Sequence, residues 1–111
     1  MAVTETFFAL EVADMDRAKA FYVEACGADV TFASPTWCSL RIAGVRVGLA
    51  LVVGHEGRRV GLHFAVDDMA IASRHIEGAG GRCGSPTEVA PGVILADAMD
   101  SEGNTFTLRC D

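Results

Sequence analysis

The sequence predicts an α+β fold: two βαβββ modules forming a curved mixed sheet around an open cavity, with the helices on its outer face. Three observations carry this. "FFALEVADMDRAKAFYVEACG", residues 7–27, returns fifty-four positions later as "GLHFAVDDMAIASRHIEGAGG", residues 61–81, with Val12 on Val66, Asp14 on Asp68, Met15 on Met69, Ala18 on Ala72 and Gly27 on Gly81. In each copy a period-two apolar run passes into a period of 3.6, the pattern of a strand followed by an amphipathic helix. Each copy is then followed by short alternating runs broken by turn residues. A repeat of about 50 residues marks units that do not bury their cores alone. With 111 residues, half of them apolar, the chain is one domain: module one about 4–53, a linker about 54–59, and module two about 60–111.

The elements follow in order. "TFFALEV", 6–12, is a strand with Phe8, Leu10 and Val12 on one face and Phe7, Ala9 and Glu11 on the other. Asp14 caps a helix over 15–26, whose apolar stripe is Met15, Ala18, Phe21, Tyr22 and Ala25, and Gly27 ends it. "DVTFAS", "TWCSLRIAG" and "VRVGLALVV" are three strands, the last two joined by a tight Ala43-Gly44 turn. "GHEGRR" is a polar linker. "VGLHFAV" opens the second unit, Asp68 caps a helix over 69–78 with Met69, Ala72 and Ile76 inward, and Gly78, Gly80 and Gly81 stop it. "RCGSPTEV" is a weak strand, "VILADAM" a stronger one, "SEGN" a turn, and "TFTLRC" the last strand. Each helix covers one face of its four-stranded sheet. The opposite faces are left open, and two such faces turned toward each other enclose a space for a ligand.

Composition excludes several partners. A net charge of −6 repels nucleic acid and anionic membranes. No apolar run approaches the ~20 residues a membrane span needs, and "MAVTETFF" does not read as a secretory signal, so a cytoplasmic protein is expected. The four cysteines, Cys26, Cys38, Cys83 and Cys110, form no C-x-x-C pair and read as small buried thiols.

The strand followed by "V-A-D-M-D-R-A-K-A-F-Y", together with the closing "D-S-E-G-N-T-F-T-L", resembles the vicinal oxygen chelate superfamily of glyoxalase I, bleomycin-resistance proteins and extradiol dioxygenases. The resemblance spans residues 6–110. It implies paired βαβββ units and, in metal-using members, a His, Gln or Glu early in the first strand of each unit and a Glu in the last strand. Those places hold Phe7, Gly61 and Thr107 here, and the strand that usually gives a fourth ligand, "VRVGLALVV", has no His, Asp or Glu. A phenyl ring, a hydrogen and a hydroxyl are poor ligands for a divalent cation. The resemblance is therefore to the metal-free, drug-binding branch, which implies antibiotic sequestration or resistance, no cofactor, and a homodimer formed side by side or by module exchange.

Six residues are candidates for ligand binding: Phe7, Glu11, Trp37, Arg41, His63 and Thr107. Trp37, the only tryptophan, suits stacking on a planar or heteroaromatic ring, or else fills an interface or the cavity itself. Phe7 adds an apolar wall. His63, whose counterpart in module one is Ala9, is either a ligand contact, a general base, or a solvated histidine. Glu11 would orient His63, meet a cationic ligand, or pair with Arg41 or Arg109, because an enclosed carboxylate needs a partner. The expected function is metal-independent binding of an apolar or aromatic small molecule. The alternative is a lyase, isomerase or dioxygenase-type enzyme using His63 and Glu11, metal-free or with a divalent metal. His55 and His75 are expected to be exposed and without a role, and Gly103-Asn104 to be turn chemistry.

Overall fold

The computed structural model spans all 111 residues. The first module runs β1 (Phe8–Val12), α1 (Met15–Cys26), β2 (Asp29–Ala33), β3 (Trp37–Ile42) and β4 (Val45–Leu51). The second runs β5 (Arg59–Ala65), α2 (Met69–Gly78), β6 (Arg82–Cys83), β7 (Thr87–Ala90), β8 (Val93–Met99) and β9 (Thr105–Cys110). Both helices match their predicted bounds, because each start is fixed by a side chain that satisfies an orphan N–H. Asp14 accepts from Arg17 N at 2.9 Å and Asp68 from Ile71 N at 3.0 Å. Gly27 closes α1 at φ 65, as expected. The second helix ends on Ala79 at an ordinary φ of −96.

The sheets are mixed, with orders β1-β4-β3-β2 and β5-β9-β8-β6, and β7 also pairs with β8. The expected single strand over "RCGSPTEV" is thus two short ones that share β8, so the second sheet has five strands. "GSP" breaks the ladder between them because proline has no N–H to donate. The linker is shifted toward the N-terminus and runs over 52–58, since β4 stops at Leu51 and Arg59 already pairs with Thr105. Ala43-Gly44 forms the tight turn, with Ala43 at φ 48 in the left-handed region that alanine enters at a cost.

The core lies on the helix side. Leu10, Val12, Phe21, Tyr22, Cys38, Leu40, Leu49, Phe106 and Leu108 are nearly or completely buried. Phe21 meets Tyr22 edge-on at 4.9 Å between centroids, and Phe64 meets Phe106 likewise at 5.3 Å. The two helices pack on each other, which joins the modules into one core. No ladder joins the two sheets, and β1 and β5 each keep a free edge.

The second joint is the β8–β9 turn. Glu102 has no exposed side-chain surface. Its Oε1 accepts from the backbone of Ala13 and Asp14 at 3.0 and 2.9 Å, and Arg17 Nε donates to Oε2 at 2.7 Å. The Tyr22 hydroxyl donates to Asp100, whose other oxygen accepts from the backbone of Glu102 and Asn104. Asn104 Nδ2 donates to the Glu11 carbonyl at 2.9 Å. Every buried side-chain polar atom has a partner. The turn at Gly103-Asn104 is therefore also the clamp that fastens module two to the start of α1. His55 belongs to it as well: its Nε2 stands 2.8 Å from Asn104 Oδ1, where the sequence suggested an idle surface histidine. His75 is exposed, in the last turn of α2. All four cysteines are free, with Cys38 buried and the other three half-buried. No helix is long and apolar enough to cross a membrane.

Candidate functional site

With both helices on one side, each sheet presents its other face uncovered. On the first sheet the register places Ala9, Gly48 and Ser39 in one row, Glu11, Ala50 and Trp37 in a second, and Arg46, Arg41 and Asp29 in a third, with Phe7 beside Arg46. Trp37 lays its indole along the sheet. A β-carbon at position 48 would overlap ring atoms Cη2 and Cζ2 of Trp37, so only glycine lets the ring lie flat on the strand. Trp37 Nε1 donates to Ser39 Oγ at 2.9 Å, which fixes the ring's direction. The expectation that Trp37 lies away from the core holds, and the ring is half-buried against its own sheet.

Phe7 is 40% exposed, and the Arg46 guanidinium stands 4.3 Å from its ring centroid, a cation–π pair. Arg46 also donates to Glu5 Oε1 at 2.9 Å. Arg41 is exposed and gives one bond, to the Gly44 carbonyl at 3.1 Å. Glu11 is half-buried, and its partner is Arg58 at 3.4 Å. The expected pairings of Glu11 with Arg41, Arg109 or His63 are absent: Arg109 forks onto Asp111 at 2.6 and 3.1 Å, and the linker carries Arg58 over the end of β1 instead.

On the second sheet His63, Thr107 and Asp97 form one row. His63 is exposed, whereas Thr107 is 9% exposed because its neighbours in the row flank it. Both line a pocket of about 280 Å³ with Ser85, Thr87 and Leu95. The structure thus separates the six candidates into two groups, Phe7, Glu11, Trp37 and Arg41 on one sheet and His63 and Thr107 on the other. Between the sheets, a cleft of about 410 Å³ runs from Phe8, Val45 and Val47 to Gly61–Ala65 along the free edge of β5.

The two ladders also locate the module-one counterpart of Thr107. Ala9 pairs with Gly48 as His63 pairs with Thr107, and Ala9 and His63 are equivalent in the repeat. Gly48, under the Trp37 ring, is therefore the place in β4 where a fourth ligand would stand. The sequence reading missed Gly48, Ser39 and Arg46. A glycine inside an apolar strand was the available signal, since it marks a close approach by another group.

Two thiols are disfavoured as nucleophiles. Burial and the nearby Asp100 push Cys26 up to about 12, and burial raises Cys38.

The profile of the glyoxalase-like domain family matches residues 7–109. Among curated proteins no sequence matches. The fosfomycin resistance protein FosX from Listeria monocytogenes superposes with a TM-score of 0.84 at 16% identity, covering 100% of this chain and 95% of that one. TnmS3, an antibiotic binding protein from Streptomyces sp. CB03234, is 26% identical with a TM-score of 0.73, covering 99% of this chain and 98% of its own. A bleomycin resistance determinant encoded on the transposon Tn5 is 20% identical with a TM-score of 0.68, and each chain is covered to 98%.

Proposed function

Because the chain belongs to the glyoxalase-like domain family, within the vicinal oxygen chelate superfamily, we propose that it binds a planar aromatic small molecule without a metal, in the manner of an antibiotic-sequestering protein. The observation that carries this is the Trp37 ring, laid flat on Gly48 and held by Ser39. Its outer π face is a preformed stacking surface, so little rotamer freedom is lost on binding. The donor set speaks against a cation. The four places that would supply ligands carry a phenyl ring at Phe7, no side chain at Gly48 or Gly61, and one hydroxyl at Thr107, and no other group of three His, Cys, Asp or Glu is suitably placed. The similarity to the antibiotic-binding TnmS3 and the bleomycin resistance determinant supports the same reading.

The active form is a homodimer. An 11.7 kDa monomer exposes about 5,900 Å² by the usual scaling, and this chain exposes 6556 Å². Phe7 and Phe8 are 40% and 45% exposed at the free edge of β1. A second copy that lays its β1 against the free edge of β5 would cover these rings and bring the first-sheet face of one chain opposite the second-sheet face of the other. Phe7, Trp37 and Arg41 would then share one cavity with His63 and Thr107 of the partner. On this reading it works in the cytoplasm, where free thiols stay reduced.

The test is Trp37 emission under titration with a panel of planar antibiotics and heteroaromatic drugs. Saturable quenching is expected. Emission unchanged across the panel rejects the reading, as does one tightly held equivalent of Zn, Ni, Fe or Mn in the purified, untagged protein. A second reading, a metal-free lyase or isomerase, is favoured by His63 alone, since it is exposed in a pocket beside Asp97 and Thr107. Under that reading His63→Gln keeps binding and abolishes turnover. Under the preferred reading it changes affinity only modestly.

A further inference from the structure

The first sheet's open face carries a pairing that folding alone does not favour. Arg41 and Arg46 stand directly opposite each other in the β3–β4 ladder, and like charges in that position destabilise a sheet. Asp29 is the next residue in the row, but no ion pair forms between it and Arg41. Arg41 has one protein acceptor for its five donors. Arg46 is held over the Phe7 ring. Across the molecule, Arg41, Arg46, Arg58, Arg59, Arg82 and Arg109 stand on or reach over the open faces, six of the nine basic residues. Only Glu5, Glu11, Asp29, Asp97 and Asp111 of the fifteen acidic residues do the same, so the open faces are close to neutral and the acidic excess lies on the helices, loops and helix side.

We infer that Arg41 and Arg46 form an anion subsite next to the Trp37 platform, so that the ligand is a planar aromatic bearing a carboxylate or a comparable oxyanion, and that Glu5 holds the subsite until the ligand displaces it. The inference rests on the stacking role given to Trp37 above. Gly48, under the indole, is two residues from Arg46 along β4, about 7 Å. An acidic substituent on a ring stacked there would point within reach of the long arginine side chains. Guanidinium groups suit the task because they fork onto carboxylates and are weakly hydrated. The chain supplies its own example: the Glu5 carboxylate sits on Arg46 at 2.9 Å, half exposed, in a segment outside any strand. An exposed pair of this kind is worth little, so a ligand carboxylate held by both arginines and by stacking displaces it.

The experiment uses Trp37 quenching with matched probes of three ring sizes: benzoate and benzamide, 2-naphthoate and 2-naphthamide, 9-anthroate and 9-anthramide. The acid of the best-fitting pair is expected to bind about tenfold tighter than its amide, and the gap should close as salt is raised. Arg41→Gln and Arg46→Gln each weaken the acid about five- to tenfold and leave the amide unchanged, which also shows that the variants are folded. Glu5→Gln moves the other way and tightens the acid about two- to fivefold, because the resident competitor is gone. An amide that binds as tightly as its acid, or a Glu5→Gln protein with unchanged affinity for the acid, overturns the anion subsite while leaving the stacking platform in place. No quenching by any of the six probes overturns the subsite together with the platform it rests on.

Discussion

A side chain at position 48 and the present position of the Trp37 ring exclude each other, because the ring atoms occupy the space a β-carbon would need. Gly48→Val is therefore expected to lift the indole off the sheet and break its bond to Ser39. The cost should be about 1–3 kcal/mol, as for other over-packed sites. Trp37 emission should shift to the red, and planar ligands should lose their quenching. An unshifted spectrum in a folded Gly48→Val protein would mean that the ring does not lie where the structure puts it. Cys26 is a second residue-scale case. Its thiol is pushed up to about 12 by burial, so it carries almost no thiolate at neutral pH. Alkylation by iodoacetamide at pH 7.5 should leave Cys26 unmodified in the folded protein and label it on unfolding, read by peptide mass spectrometry.

At the scale of elements, the start of α1 is held twice. Asp14 caps it from within the module, and Glu102 binds the N–H groups of Ala13 and Asp14 from the other module. Asp14→Ala should cost about 1 kcal/mol, the usual worth of a cap, which lowers Tm by roughly 4 °C in a domain of this size. Glu102 makes the stronger prediction. Burial alone would raise its pKa, but the Arg17 guanidinium, the Asp14 N–H and the Ser101 hydroxyl outweigh burial and hold it below the usual carboxylate value. A depressed folded-state pKa gives stability that is fully present above the unfolded value, near 4.5, and lost as pH falls through the lower folded one. Glu102→Gln should thus cost about 2 kcal/mol at pH 7. The gap to the parent protein should narrow below pH 4, as seen in parallel urea titrations. A gap independent of pH would assign the loss to packing instead of charge.

The whole molecule is more open than its size requires. Its Cα radius of gyration is 14.1 Å, where about 13 Å is usual for 111 residues. Its β1 and β5 edges are unpaired, and Phe8, on the helix-side face of β1, is 45% exposed. Exposed apolar edges of this kind are interaction sites. Under the proposed function a second copy would cover them, since the free edges belong to equivalent strands of the repeat. Sedimentation should show a dimer, and Phe8→Lys should yield a folded monomer, since the position is already solvated within one chain. A Phe8→Lys protein that stays dimeric would put the interface elsewhere. The monomer should also lose most ligand quenching, as half of the proposed cavity comes from the partner.

Local chemistry was legible because it depends on short stretches of chain. The strand–cap–helix grammar placed α1 and α2 at their observed bounds, the repeat fixed which residues of β1 and β5 face away from the core, and Phe7, Gly61 and Thr107 were recognisable as poor cation ligands before any coordinates. What the sequence did not reveal depends on residues far apart along it. The hydrogen-bond partners of Glu102 and Asn104 at the start of α1 and the end of β1 lie about 90 positions away, so "SEGN" read as a turn while the structure makes it the clamp between modules. Glu11 found Arg58 in place of His63, because the path of the linker, which carries no periodic signal, set which charges meet. Register across β1, β4 and β3 decided that Trp37 covers Gly48 and that Arg41 faces Arg46. Pairing between strands is a property of the folded sheet, and no single segment encodes it.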